Sequence, residues 1–215
     1  MRRLLVPGAW ILALLLLVSL SYLAYRYTPL SGEGDVLVWL AGVDLPWMSP
    51  LMEGTSFLGD TIPATITVAV AVVTLLLYRR RRDAVFFAAV PALSALFSYL
   101  IKLLVARPRP DELLASSGLS FPSGHVTYAA AIGGFAWYLA PRVLPQRTAV
   151  WAVRGLMALF VVLTAVSRMY LEAHWPSDVA GGLLLAGLCV AAAARWHGNR
   201  TPARILPEVN DAGTA

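Results

Sequence analysis

Six predominantly apolar stretches, several of them short of the roughly 20 residues that cross a bilayer, set what this chain can become: Gly8 to Tyr25, Ile62 to Tyr78, Ala84 to Leu104, His125 to Leu139, Thr148 to Val166 and Val179 to Ala194. In hydrocarbon no water is available to backbone N–H and C=O groups, so such segments must satisfy their hydrogen bonds internally, as helices. Composition agrees, because 59% hydrophobic against 13% charged residues cannot clothe a globule in an ordinary water-facing surface. The expected fold is all-α: a polytopic membrane protein, a bundle of about six transmembrane helices over residues 1–200. Residues 201–215 mix Pro, Gly, Asn and charge from Pro202 to Ala215 and read as a disordered cytoplasmic tail. Arg2-Arg3 ahead of the first stretch suit a signal peptide, yet the apolar run is long and no small-residue cleavage site follows, so it reads as a retained anchor.

The net charge of +5 does not point to nucleic acid, because the basic residues cluster at segment ends. Arg2-Arg3, Arg79 to Arg82, Arg142 with Arg147, and Arg195 through Arg204 all fall on one side if six spans alternate. The excess of Lys and Arg on cytoplasmic loops makes that side the cytoplasm, with both termini there. Arg154, a turn or two inside the fifth stretch, is expected to snorkel to the same surface. The opposite side receives Tyr27 to Ser56, which carries no Lys or Arg. Within it Val36 to Val43 is too short to cross. With Trp39, Trp47, Met48 and Met52 it suits either an interfacial helix bordering a lipid entrance or a packed outer loop without substrate contact. Pro63 and Pro91 fall in or beside spans, where kinks are tolerated. Cys189 has no partner for an intrachain disulfide and reads as a packed thiol.

Three polar islands interrupt the apolar chain on that same outer side: Lys102 with Arg109-Pro110, then Pro122-Ser123-Gly124-His125, then Ser167-Arg168 with His174 and Asp178. Ionisable groups at membrane depth are costly unless they serve something. Lys102, Arg109 and Arg168 form a set of cations suited to phosphate oxygens, the arginines as planar forks and the lysine as a point charge. Pro122-Ser123-Gly124 precedes an apolar helix, where Ser123 can cap and Gly124 lets backbone N–H groups approach an anion. His174 and Asp178 are four apart and Pro176 suits a first helical turn, so the carboxylate can reach an imidazole nitrogen and fix its tautomer. Asp178 could equally cap the last helix. Glu172 reads as a surface carboxylate, and His197, in the basic cytoplasmic tail, receives no role. A metal site built from His125, His174 and Asp178 is the chemical rival, but the neighbouring cations would repel a divalent ion, so no metal and no cofactor are expected.

The spacing of the islands, with six residues between Lys102 and Arg109-Pro110, the Pro122-Ser123-Gly124-His125 run, and five residues between Ser167-Arg168 and His174 with three more between His174 and Asp178, resembles the type 2 phosphatidic acid phosphatase family, which shares its site with vanadium haloperoxidases and bacterial acid phosphatases. The resemblance implies that His174 is a nucleophile oriented by Asp178, that His125 is the acid and then the base, and that Lys102, Arg109, Ser123, Gly124 and Arg168 bind the phosphate. It implies a multi-pass enzyme of a bacterial inner membrane with its active site at the extracytoplasmic end. The substrate would be a lipid phosphate monoester or pyrophosphate entering from the bilayer: phosphatidate, phosphatidylglycerol phosphate, undecaprenyl pyrophosphate or phosphorylated lipid A. Membrane lipids are the other expected partners; nothing in the sequence sets an oligomeric state. A noncatalytic lipid-phosphate binder or transporter is the alternative of a different class, and a vanadate-dependent haloperoxidase a second enzymatic one.

Overall fold

The computed structural model describes residues 2–110 and 119–199; the tail expected at 201–215 lies outside the described residues. Among them there are eight helices: α1 (Arg2–Arg26), α2 (Glu33–Ala41), α3 (Met48–Leu58), α4 (Thr61–Leu77), α5 (Arg81–Val105), α6 (Gly124–Val143), α7 (Arg147–Tyr170) and α8 (Pro176–Asn199). Each of the six apolar stretches falls on one of the long helices. Four of these are long and apolar enough to cross a membrane, namely α1 from Gly8 onward, α5, α7 and α8; α3 and α4, bent by 60° at their junction, add a fifth span if taken together. The chain is a multi-pass membrane protein.

The remaining long helix, α6, falls short of that apolarity because Gly, Tyr, Trp and His take up much of it. Its neighbours compensate. Helices α5, α7 and α8 enclose it, and Val126, Ala129, Ala131 and Phe135 on it are fully buried. The main apolar cluster joins Leu75 of α4, Ala84, Phe87 and Val90 of α5, Ala131, Ile132, Phe135 and Leu139 of α6, and Ala186 of α8. Small residues let the backbones approach, as expected of helix contacts in lipid. A Cβ on Gly133 would lie 3.1 Å from Val161, and one on Gly134 3.2 Å from Val190. By contrast α1 and α7 leave long rows of leucine, valine and isoleucine exposed, the faces that meet acyl chains.

Two ends of the bundle differ in chemistry. The basic turns α4–α5 and α6–α7 and the end of α8 gather at one end, where Arg80 donates to the Arg142 carbonyl at 2.7 Å and Arg82 to the His197 carbonyl at 2.6 Å. His197 is not in a tail: it sits in the last turn of α8, buried, bonded through Nε2 to Asp83 at 2.7 Å and through Nδ1 to the Tyr138 hydroxyl at 3.0 Å. It fastens α8 to α5 and α6. Arg154 lies half-buried near the Trp137 and Trp151 rings, 5.2 Å from each centroid, in cation–π contact with both. Pro63 stands in the first turn of α4, where a missing N–H costs nothing, and α5 continues unbroken through Pro91; the sharp bend falls instead between α3 and α4.

Candidate active site

At the other end the three polar islands meet. Lys102 is in the last turn of α5, Arg109 in the segment after it, Ser123 and Gly124 at the start of α6, Arg168 in the last turn of α7, His174 just before α8 and Asp178 in its first turn. Lys102, Arg109 and Arg168 are within Coulombic range of one another, and Lys102 and Arg168 are also within range of His174. Lys102 donates through Nζ to the carbonyls of Leu119 at 2.8 Å and Ser120 at 3.1 Å, which ties α5 to the approach to α6.

The cradle around Ser123 depends on a close helix crossing. Ser123 is fully buried, and its backbone N–H donates to the Asp178 carbonyl at 3.0 Å. A Cβ on Gly182 of α8 would come within 2.9 Å of the Ser123 carbonyl and 3.0 Å of the Thr127 hydroxyl, so only glycine permits this approach. The N-terminus of α6, with its outward N–H groups, is thereby fixed beside the cations. Among the described residues, the buried polar side-chain atoms with no hydrogen-bond partner include Nε of Arg109, Nε of Arg168 and the Ser123 hydroxyl. Buried polar groups are nearly always bonded, so three unsatisfied donors on residues of one cluster indicate a place built for an anion.

His174 is buried, its Nδ1 facing Asp178 Oδ2 at 3.4 Å, and its backbone N–H donates to the Arg168 carbonyl at 3.1 Å. Burial, the largest influence, pulls its imidazole down to about 4; Lys102 and Arg168 act in the same direction and Asp178 opposes them. The ring is therefore neutral at physiological pH. Asp178 also caps α8, accepting from the Trp175 N–H at 2.9 Å, beside its contact with His174. Glu172 is exposed.

The orienting of Asp178 is not left to His174. Arg107, which the sequence reading passed over in favour of Arg109, is the largest fully buried side chain in the molecule's described part. It donates from Nη1 to Asp178 Oδ1 at 2.7 Å and to the Ser177 hydroxyl at 2.7 Å, and from Nη2 to Glu33 Oε2 at 2.6 Å. Its guanidinium also lies 5.5 Å from the Trp175 ring centroid. Glu33, at the start of α2, accepts in turn from the Ser177 N–H at 2.8 Å and the Ser177 hydroxyl at 2.5 Å. Thus Val36 to Ala41 of the outer segment is helical, within α2, which supplies a buried carboxylate to Arg107 while Trp39 and Trp47 remain exposed. Two more residues were missed. Ser56 of α3 bonds Arg168 Nη1, and Asp60 at the α3–α4 bend pairs with His125 Nε2 at 2.9 Å. Among the described residues no three His, Cys, Asp or Glu side chains converge as a metal-holding group.

An all-helical membrane bundle that gathers two histidine–carboxylate pairs and three cations at one end defines a class, and the comparisons agree: the chain belongs to the PAP2 superfamily, whose family model matches residues 83–202. Among its relatives are phosphatidylglycerophosphatase B of Bacillus subtilis (strain 168), 30% identical over 65% of this chain and 70% of that one, and the decaprenylphosphoryl-5-phosphoribose phosphatase of Mycobacterium tuberculosis (strain ATCC 25618 / H37Rv), 32% identical over 80% of this chain and 96% of that one. The fold matches the crystal structure of a transmembrane PAP2-type phosphatidylglycerolphosphate phosphatase from Bacillus subtilis with a TM-score of 0.81, at 23% identity, covering 91% of this chain and 98% of that one. Aquifex aeolicus LpxE matches at a TM-score of 0.62, with 17% identity over 78% of this chain and 97% of that one.

Proposed function

We propose that this PAP2-superfamily membrane phosphatase hydrolyses a lipid phosphate monoester or pyrophosphate through a phosphohistidine on His174. The observation that carries the reading is the set of unsatisfied donors on Arg109, Arg168 and Ser123 beside a buried, neutral imidazole. With Nδ1–H directed at Asp178, the His174 Nε2 lone pair attacks phosphorus as the bond to the lipid oxygen breaks. His125 gives its proton to that leaving oxygen. It then takes one from the water that cleaves the phosphorus–nitrogen bond, which frees phosphate and restores His174. Charge spreading over the equatorial oxygens in both steps is met by Lys102, Arg109 and Arg168, with Ser123 and Gly124 adding donors at the α6 N-terminus. No step calls for a metal or other cofactor. A noncatalytic binder would need the cations but not two histidine–carboxylate pairs.

The headgroup enters this end while the tail stays in the bilayer, on substrates such as phosphatidylglycerol phosphate, phosphatidate or undecaprenyl pyrophosphate. The segregation of Arg80, Arg82 and Arg142 to the opposite end supports a catalytic domain over residues 1–200 with cytoplasmic termini and a site facing the outside of the inner membrane. Single cysteines at Ser31 and Arg81 in a Cys189→Ala background, labelled on intact cells with an impermeant thiol reagent, check the orientation. Labelling at Ser31 alone is expected, and labelling at Arg81 alone inverts it.

Purified protein assayed for phosphate release against a panel of lipid phosphates tests the activity itself. Turnover should survive EDTA, and vanadate, which adopts the five-coordinate geometry of the transferring group, should compete with substrate. Loss of turnover on chelation with rescue by Mg²⁺ or Zn²⁺, and indifference to vanadate, would overturn the mechanism. The acid limb of kcat/KM that reports His174 should lie nearer pH 4 than 6.5. The sign follows from burial: the folded-state value lies below the ordinary 6.5, so the unfolded chain takes up the proton first, and this group's contribution to stability, present above 6.5, is lost as pH falls towards 4.

A further inference from the structure

We infer that Asp60 is a positioning residue for the acid–base step, forming with His125 a second histidine–carboxylate pair whose partner comes from the α3–α4 bend; this rests on the reading of His125 given above. Asp60 occupies the N-cap of α4 with extended backbone, φ −67° and ψ 155°, where an aspartate ordinarily accepts a bond from the first helical turn, yet its side chain makes no cap bond. Its Oδ1 instead accepts from His125 Nε2 at 2.9 Å. The residue before it is shaped to the same contact. A Cβ on Gly59 would lie 2.5 Å from His125 Cδ2 and 3.1 Å from Cγ, so the bare glycine backbone forms a wall against the imidazole edge. The same element sends Ser56 to Arg168. The 60° break between α3 and α4 therefore lays three consecutive contacts, Ser56, Gly59 and Asp60, along the site.

The chemistry explains why an acid–base histidine needs this partner. Burial first, and then Arg168 and Arg109, work against positive charge on the His125 ring, and Asp60 is the carboxylate that attracts it. Without Asp60 the imidazolium that must donate to the leaving oxygen is disfavoured by the very cations that bind phosphate. With Nε2–H committed to Asp60, Nδ1 is the nitrogen that gives the proton to the lipid oxygen and later takes one from water. The two pairs thus divide the work. Asp178, fully buried, holds a neutral nucleophile, while Asp60, with 55% of its side chain exposed, supports a ring that cycles between charged and neutral.

The test measures kcat/KM on two aryl monophosphates, phenyl phosphate with its poor leaving group and 2,4-dinitrophenyl phosphate with its acidic one, for the wild type and for Asp60→Asn, Gly59→Ala, His125→Ala and the Asp60→Asn/His125→Ala double variant. General acid catalysis contributes on the order of 10² to 10⁴-fold, so His125→Ala should lose that much on phenyl phosphate and far less on the dinitrophenyl ester. Asp60→Asn should show the same leaving-group selectivity at about tenfold, with an unchanged melting temperature because the side chain is largely exposed, and should cost nothing further in the double variant. Gly59→Ala, which moves the ring without changing a charge, should reproduce the selectivity. Equal losses on both esters, no loss, or additive losses in the double variant would overturn the role of Asp60. A His125→Ala variant without leaving-group selectivity would instead sink the reading of His125 itself.

Discussion

His174→Ala is expected to abolish phosphate release from every lipid phosphate that the wild type turns over, a loss on the order of 10⁴-fold or more, while lipid-phosphate binding persists. Binding survives because Lys102, Arg109, Arg168 and the N-terminus of α6 are not touched by the change. Denaturing the wild type during turnover and probing for acid-labile, base-stable phosphate should reveal a phosphoenzyme that His174→Ala lacks. Asp178→Asn should retain a small residual rate, since the amide still meets Nδ1–H through its oxygen but no longer stabilises positive charge on the ring. Near-normal turnover in His174→Ala would refute the covalent route outright.

Arg107→Met should damage the protein more than any other single change outside the phosphate-contacting set. The substitution removes the cation that pairs with both Glu33 and Asp178 and leaves two buried carboxylates without it. Breaking a buried ion pair from one side typically costs about 3 to 5 kcal/mol, because the charge left behind keeps its neutral hydrogen bonds but loses its counter-ion away from water. A correspondingly lowered melting temperature in detergent is expected, with loss of activity even in whatever fraction stays folded. Arg107→Lys keeps the charge but cannot reach Asp178, Ser177 and Glu33 together, so it should fall between wild type and Arg107→Met. Glu33→Gln provides the internal control: it removes one carboxylate and leaves the Arg107–Asp178 bond in place, so its effect should be much smaller. Equal melting temperatures for Arg107→Met and the wild type would show that the network adds nothing to the fold.

The neighbouring arginines illustrate where reading the chain reaches its end. Arg107-Pro108 and Arg109-Pro110 are the same dipeptide twice. Motif spacing from Lys102 selects Arg109. The fold separates them: Ala106, in the left-handed region at φ 50°, ends α5, and the backbone beyond it turns Arg107 inward under α8 and leaves Arg109 half-exposed with an unsatisfied Nε. No local pattern distinguishes the two.

By itself the sequence determined the helical class, the placement of the six long helices, the gathering of basic turns away from the polar islands, and the motif residues at helix ends. These follow from short-range physics: apolar length against bilayer thickness, Pro-Ser-Gly at a helix start, and a four-residue spacing that brings Asp178 onto the face of His174. Only the tertiary structure decided how the buried charges are balanced. Arg107 finds Glu33 at a separation of 74 residues, His125 finds Asp60 at 65, and Arg168 finds Ser56 at 112. A buried charge must be neutralised by whatever side chain the packing of other helices brings beside it, and that choice has no signature in the few residues on either side. The same holds for His197, which composition assigns to a tail and packing locks between Asp83 and Tyr138.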